Sequence, residues 1–284
     1  MEGLKPSKSC TLTKMNNSTT ITPLILTYNE APNIARNLNQ LRWAKRIVVI
    51  DSFSTDETMS ILAQFPKVEV YQNRFISFAD QCNFGLERIK SEWVLSLDAD
   101  YILDDTIVEN LLALPLHPEQ TAAYSARFKY DIFGKPVRGS LYPPRKVLYA
   151  KNNAYYVNDG HGHTVIIDGE IKTLDGFIHH DDRKSFSHWL GSQDRYLKKE
   201  AEKLTNIPFK QLKWADKLRW FIVPAPFVVL IYCLILRGGI LDGKHGWYYA
   251  MQRVLAEILL SIRLVEMRLN PTKKPARFLE TAQV

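Results

Sequence analysis

Four times in the first hundred residues a short apolar, β-branched run recurs, and three of the four run out onto acids. They are residues 22–30 (TPLILTYNE), 46–52 (RIVVIDS), 67–71 (KVEVY) and 91–100 (SEWVLSLDAD). Runs this short and continuously apolar read as strands covered on both faces, the habit of parallel sheets. Helical stretches separate them. Residues 33–41 place Ile34, Leu38 and Leu41 on one face, residues 54–65 open with Ser54 and Glu57 at capping-box spacing, and residues 78–89 form the third. The alternation predicts an α/β domain with right-handed crossovers. Ligands of such sheets bind beyond the carboxyl ends of the strands. There this chain delivers Tyr28 and Glu30, then Asp51 and Ser52, then Asp98 and Asp100. One acid after a strand is commonly a helix cap, whereas acids at three strand ends point to a shared site.

The chain has 284 residues, 46% hydrophobic and 24% charged, enough for one large domain or a domain with an appendage. Its three cysteines, Cys10, Cys82 and Cys233, are odd in number and widely spaced, which suits a reducing compartment and no CxxC metal site. Residues 1–20 are polar and lack the apolar core of a signal peptide; they are expected to be a disordered lead. The net charge of +7 is uneven: 18 Lys+Arg stand against 8 Asp+Glu from Arg183 onward, and 19 against 22 before it. A basic final third suits an anionic partner, either nucleic acid or a lipid surface, or simply a solvated basic face.

Two carboxylates at i and i+2 past a strand, with only Ala99 between them, can both reach a hard divalent ion. Mg²⁺ or Mn²⁺ prefers oxygen ligands and is commonly held by one or two carboxylates plus substrate phosphates. Neither a G-x-x-x-x-G-K-[ST] loop nor a G-x-G-x-x-G after a strand is present, which argues against P-loop and dinucleotide enzymes.

LTYNEAPNI (residues 26–34), VVIDSFSTDET (48–58) and VLSLDAD (94–100) resemble, in order and spacing, the opening motifs of family-2 glycosyltransferases with the GT-A fold. The nearest group it resembles is the bacterial lipopolysaccharide-core β-1,4-glucosyltransferases, which commonly read D-A-D-E where this chain reads Asp98-Ala99-Asp100-Tyr101. The resemblance implies an inverting transferase, with Glu30 and Asp51 on the nucleoside of a nucleotide-sugar and Asp56 in support. It implies Asp98 on ribose or sugar, Asp100 on Mn²⁺ or Mg²⁺, and Gln81 and Asn83 on a helix beside the nucleotide. The equally weighted alternative for Gln81 and Asn83 is a solvated helix face.

Residues 116–180 alternate short β-like runs with Gly, Pro and Asn turns and are expected to form the acceptor half of a catalytic domain spanning 21–180, beside a nucleotide-sugar half at 21–115. Displacement at a sugar carbon needs a base for the acceptor hydroxyl. Asp159, then His161, in NDGHGHT (158–164) are the candidates, against a plain glycine-rich turn. His180, Asp182, Arg183 and, further along a helix over 185–204, Arg195 are second candidates for the nucleotide-sugar, against a structural ion-pair network.

Residues 181–284 are expected to be helical and membrane-associated. Residues 220–236 are 17 positions without a charge, broken by Pro224 and Pro226 and flanked by basic residues and Trp, which suits a re-entrant or in-plane seat more than a span or a buried helix. GILDGKHGW (239–247) resembles a Gly-Phe-Leu-Asp-Gly signature of the same glucosyltransferases. The expected partners are therefore a nucleotide-sugar donor, a lipid-linked or lipopolysaccharide acceptor, and the cytoplasmic face of a bacterial inner membrane, held peripherally or monotopically. No nucleic-acid motif appears. The other readings kept open are a nucleotidyltransferase and a non-catalytic basic membrane- or nucleic-acid-binding protein.

Overall fold

The computed structural model describes residues 20–159 and 162–270. The expected disordered lead, apart from its last residue, and His161 lie outside the described residues. The alternation is as expected: β1 (Ile21–Thr27), α1 (Ile34–Gln40), β2 (Ile47–Asp51), α2 (Thr58–Leu62), β3 (Val68–Gln72), α3 (Phe78–Leu86) and β4 (Trp93–Asp98). These strands lie parallel in the order β3-β2-β1-β4. The chain steps outward from β1 to β3, and α3 then carries it back to the far side of β1. Such a reversal opens a crevice beyond the carboxyl ends. The register sets Thr27 beside Asp51 and Leu26 beside Asp98, so the acidic ends share one edge.

Both faces of β1, β2 and β4 are covered, which is why they read as continuous rather than alternating apolar runs, while the edge strand β3 is half-exposed. Ile25, Val49 and Leu95 pack with Ile34 and Leu38 of α1, and Leu24, Val48 and Val94 with Ala79, Cys82 and Leu86 of α3. Each such buried aliphatic side chain contributes about 1.5–3 kcal/mol. Cys82 and Cys233 are free thiols, both buried.

Helix α2 starts three residues later than its capping-box spacing suggests. Its N-cap, Glu57, receives no side-chain hydrogen bond, and Ser54 does not cap at all. The Ser54 hydroxyl donates instead to Asp51 Oδ1 at 2.5 Å. Its oxygen accepts Asn29 N at 2.9 Å, so the lone pair that a cap would offer a helix N–H is used on the loop after β1.

The second half extends the same sheet. It comprises β5 (Tyr101–Leu103), α4 (Asp105–Ala113), β6 (Ala123–Ile132), β7 (Lys135–Val137), β8 (Arg145–Ala150), β9 (Tyr155–Asp159), β10 (Gly162–Ile166) and β11 (Ile171–His180). From β4 the order continues β8-β6-β11-β5, with β7 on β6, making nine strands in a mixed sheet. The β9–β10 hairpin packs against α3. Apart from that hairpin, the strands of residues 116–180 share one sheet with those of residues 21–115.

The pairing of β11 with β6 shifts between Thr173 and Phe177, at a bulge. Gly176 sits there at φ 99°, and a Cβ on it would lie 2.6 Å from Asp104 Oδ1, so glycine is required. Asp104 caps α4 through Ile107 N at 2.8 Å and accepts Phe177 N at 2.8 Å. The acids that follow Asp100 therefore serve a helix start.

The C-terminal helices are α5 (Phe186–Asn206), α6 (Trp214–Trp220), α7 (Pro224–Ile231), a π-helical turn (Tyr232–Leu236) and α8 (Lys244–Leu269). Leu204, Leu260 and Leu264 form part of the seam of α5 and α8. Arg219 ties them together, pairing with Glu257 at 2.9 Å, Asp216 at 3.4 Å and Glu200 at 3.6 Å. The uncharged run at 220–236 is not one helix. Ile222 takes φ 71°, a left-handed conformation that a β-branched residue rarely adopts, and breaks it between α6 and α7. Among the described residues no helix is long and apolar enough to cross a membrane. The GILDGKHGW stretch docks these helices on the sheet. Asp242 Oδ2 accepts Arg138 N at 2.6 Å, and a Cβ on Gly246 would lie 1.9 Å from Gly239 O.

Candidate active site

The acids at the strand ends fall into two clusters. The first surrounds Asp51, which is 0% exposed. Its carboxylate accepts from Thr27 Oγ1 at 3.1 Å, Ser54 N at 3.0 Å, Ser54 Oγ at 2.5 Å and Gln72 Nε2 at 3.4 Å. Asp56 continues the stitching, accepting from Ala31 N at 3.1 Å and from Thr58 N and Oγ1 at 3.0 and 2.5 Å. Burial raises the Asp56 carboxyl, but these bonds from Thr58 and Ala31 outweigh it and hold it below the usual carboxylate range. Gln81 donates to Ser52 Oγ at 3.1 Å and to Asn73 O at 2.9 Å. Asn83 grips the backbone N and O of Tyr156 with both ends of its amide, at 2.8 and 3.0 Å. The loops after β1 and β2 and the start of the hairpin are thereby fixed as a frame.

Asp51, Asp56, Gln81 and Asn83, the residues nominated for the nucleotide-sugar, all hydrogen-bond within the protein and frame this side of the crevice. Asn83 is not on a solvated face. Tyr28, by contrast, is exposed at this edge, as is Phe53 at φ 61°.

The second cluster gathers Glu30, Asp98, Asp100, His180, Asp182 and Lys184. Asp100 and His180, eighty positions apart, meet because β11 pairs with β5 in the register that sets His180 beside Tyr101. His180 Nε2 lies 2.9 Å from Asp100 Oδ2. The rings of Tyr101, Tyr130 and Tyr142 stand edge-on to the imidazole, with centroids 5.5, 4.7 and 5.0 Å away. Burial lowers the His180 pKa, but the charge and hydrogen bond of Asp100 outweigh it and raise the group above its ordinary value. Tyr101, standing where similar enzymes carry Glu, is thus a wall of this aromatic cage. Among the described residues, Asp100 Oδ1 and His180 Nδ1 are buried with no hydrogen-bond partner.

Asn33, a buried polar residue at the head of α1, binds the cluster's far side. Its amide donates to Glu30 Oε2 at 2.9 Å and Asp182 Oδ1 at 3.1 Å, and its oxygen accepts Arg183 N at 3.0 Å. Lys184 pairs with Glu30. Burial and the charge of Asp100 push the Glu30 carboxyl up to about 7, against the pull of Lys184 and Asn33. Both hydrogen bonds to Asp182, from Asn33 and from Lys184 N at 3.0 Å, end on Oδ1. Asp182 and Lys184 line a small pocket with Tyr130, Phe186, Trp189 and Tyr248.

Arg183 and Arg195 do not join this cluster. The Arg183 guanidinium is held by Asp181 at 2.6 Å, which Arg36 also pairs at 2.7 Å, and Arg195 donates to Ser192 on its own helix at 3.1 Å. Phe186 and Leu190 of α5 are exposed, and its packing is made further along by Ala201 and Leu204. Asp159 sits at the end of β9, paired with Gly162.

Three residues escaped the sequence reading. Arg145 lies over the Tyr142 ring, 4.8 Å from its centroid, and feels both Asp98 and Asp100. His163 stacks on Phe78, 5.5 Å between centroids, and burial lowers its pKa although Asp98 opposes this. Asn33 is the third. Its only sequence signal is a polar residue three positions after Glu30, at a position the helix buries.

A mixed α/β sheet with unsatisfied acids at its reversal point defines an enzyme of the nucleotide-binding α/β type. The model of glycosyl transferase family 2 matches residues 24–170. The chain belongs to that family and is a glycosyltransferase of GT-A-like fold. An uncharacterized glycosyltransferase of Rickettsia bellii is 24% identical over 275 residues, covering 89% of this chain and 90% of that protein. The lipopolysaccharide core biosynthesis glycosyltransferase LpsC of Rhizobium meliloti is 28% identical over 138 residues, covering 46% of this chain and 48% of its own. Among solved structures, S. aureus TarS 1-349 in complex with UDP-GlcNAc is similar at a TM-score of 0.47 and 15% identity, covering 87% of this chain and 92% of that one.

Proposed function

We propose that the protein is an inverting, divalent-metal-dependent transferase that moves a sugar from a nucleotide-sugar, of the UDP type, to a hydroxyl of a lipid-linked or lipopolysaccharide-type acceptor. The observation that carries the reading is the buried Asp100–His180 pair with its unpartnered oxygen, beside Asp182, Glu30 and Lys184. The match to LpsC supports the acceptor class.

The donor set suits Mn²⁺ or Mg²⁺. Among the described residues no three His, Cys, Asp or Glu side chains gather as a complete cage. Such ions need none, since one or two carboxylates and the substrate's phosphates hold them. Asp100, with Asp98, would hold the ion, whose charge would offset that of the departing diphosphate.

The protein's own groups do the rest. As the acceptor oxygen attacks the anomeric carbon, its proton passes to Asp182 Oδ2. The bond from that carbon to the diphosphate breaks with its electron pair leaving on the diphosphate. Attack opposite the leaving group inverts the centre. Lys184 and Arg145 supply positive charge around the acids, and the aromatic rings of the Asp182 pocket offer apolar faces to a sugar. Asp182 replaces Asp159 as the base, because Asp182 sits in the pocket with one oxygen held and one left to act.

The test is nucleoside-diphosphate release from a panel of nucleotide-sugars, with Mn²⁺, Mg²⁺ or EDTA and a membrane lipid extract as acceptor. Asp182→Asn is expected to lower kcat by about 10²–10⁴-fold, as loss of a general base does, and Asp159→Asn by less than about tenfold. The reverse pattern would return the role to Asp159. Family membership sets the nucleotidyltransferase reading aside.

A further inference from the structure

We infer that the outer face of α6, α7, the π-helical turn and the loop before α8 is a seat for an anionic lipid bilayer, entered in-plane by a broken helix. Three independent features of this face point to a lipid surface.

The first is its apolar exposure. Trp214 is 76% exposed, Phe227 65%, Leu236 71% and Leu241 73%, with Phe221, Val223, Ile231 and Ile235 also open. Phe227, Ile231 and Ile235 follow at four-residue steps and make one stripe along α7 and its π-helical continuation. The opposite side of the same helix is used up: Ala225, Cys233 and Leu234 are buried against the protein. A helix apolar all round, with one side packed and the other bare, lacks a covering. Contiguous exposed apolar surface of this kind marks an interaction site.

The second is charge. Residues 209–247 contain two acids, Asp216 and Asp242, and both are withdrawn, the first buried under Arg219 and the second bonded to Arg138 N. The cations at the rim, Lys210, Lys213, Arg237 and Lys244, are exposed. Apolar centre, cationic rim and no exposed acid complement a leaflet of anionic headgroups. A second protein copy would supply the same basic rim and repel it.

The third is shape. The left-handed Ile222 turns α7 away from α6, and its carbonyl accepts Ser261 Oγ of α8 at 3.1 Å. Strain locked by a tertiary bond keeps the stripe short and turned aside, which fits lying in an interface and not crossing it. The seat is independent of the catalytic reading, because lipid binding can be measured without substrate.

The test uses the full chain with vesicles of phosphatidylcholine containing phosphatidylglycerol, against phosphatidylcholine alone, in co-sedimentation at low and high salt. Binding is expected to the anionic vesicles, weakened by salt. Phe227→Gln with Ile235→Gln, both exposed in the folded chain, should lower the partition coefficient by more than about tenfold. Lys213→Glu with Arg237→Glu should lower it by at least about fivefold per cation lost. Circular dichroism and gel filtration of each variant would confirm that it is folded. No vesicle binding by the wild-type chain would overturn the seat. So would a wild-type dimer that the Phe227/Ile235 variant dissolves without any change in lipid binding, which would make the face a contact between copies.

Discussion

Asp51 and Asp100 look alike in the sequence: each is an acid that ends an apolar strand. The structure treats them in opposite ways. Asp51 receives hydrogen bonds from Thr27, Ser54 and Gln72, and the loop around it is set by those bonds. Asp100 has one oxygen on His180 and the other buried without a partner. A satisfied buried carboxylate holds a fold; an unsatisfied one stores a demand that a ligand can meet. Position at a strand end therefore says that an acid matters, and hydrogen-bond completeness says for what.

Substitutions can break that contrast. The largest effect is expected from Asp100→Ala, which should lower nucleotide-sugar turnover by at least about a thousandfold while the urea midpoint moves little. Asp51→Ala should do the reverse, costing about 3 kcal/mol of stability through unpartnered donors, read as a shift in the urea midpoint. If Asp51→Ala instead unfolded normally and lost turnover, Asp51 would belong with the catalytic acids. Asn83→Ala should cost about 1–2 kcal/mol, since it leaves the Tyr156 backbone groups unpaired, and should alter KM for the donor more than kcat. The smallest effect is at the exposed Arg46–Glu69 pair. Hydrogen bonds from Arg46, the largest cause, hold the Glu69 carboxyl down at about 2, from 4.5, although burial opposes them. Its contribution is thus present above the higher value and lost as pH falls through the lower one. Glu69→Gln should flatten the acid limb of the stability curve by under about 1 kcal/mol, measured by denaturation between neutral and acid pH.

The parallel half of the fold was legible because β1, β2 and β4 are covered on both faces, and burial on both sides writes itself into the sequence as runs of Val, Ile and Leu. The edge at which the acids collect was legible too, from strand ends alone. What was not legible is the partnering. Ser54 stands at capping-box spacing yet serves Asp51, three residues before it, and that Thr27, 24 residues away, meets the same carboxylate follows from the register of β1 and β2 and cannot be read locally. Asn83 carries a polar amide on a helix, as a ligand would, and spends it on a backbone 73 residues on. His180 and Asp182 could be nominated from their cluster, but that His180 meets Asp100 and Asp182 lines the pocket depends on how β11 pairs with β5. Arg145 and His163 arrive from strands with no motif. Long-range pairing, not local pattern, decides which polar residues remain free.

The bulge at Gly176 gives the site a parity. Between Thr173 and Phe177, β11 carries three residues where β6 carries one, a surplus of two. Beyond it the strand presents neighbouring histidines to opposite sides, His179 to Asp131 at 2.9 Å and His180 to Asp100 at 2.9 Å. Because side chains alternate, removing both surplus residues would preserve that assignment, and a one-residue shift of the strand beyond the bulge would carry His180 to the Asp131 side and away from Asp100. The length of this loop is therefore a counter. With Gly176 kept, a change of two residues in its length leaves the cleft as it is, and an odd change re-addresses it.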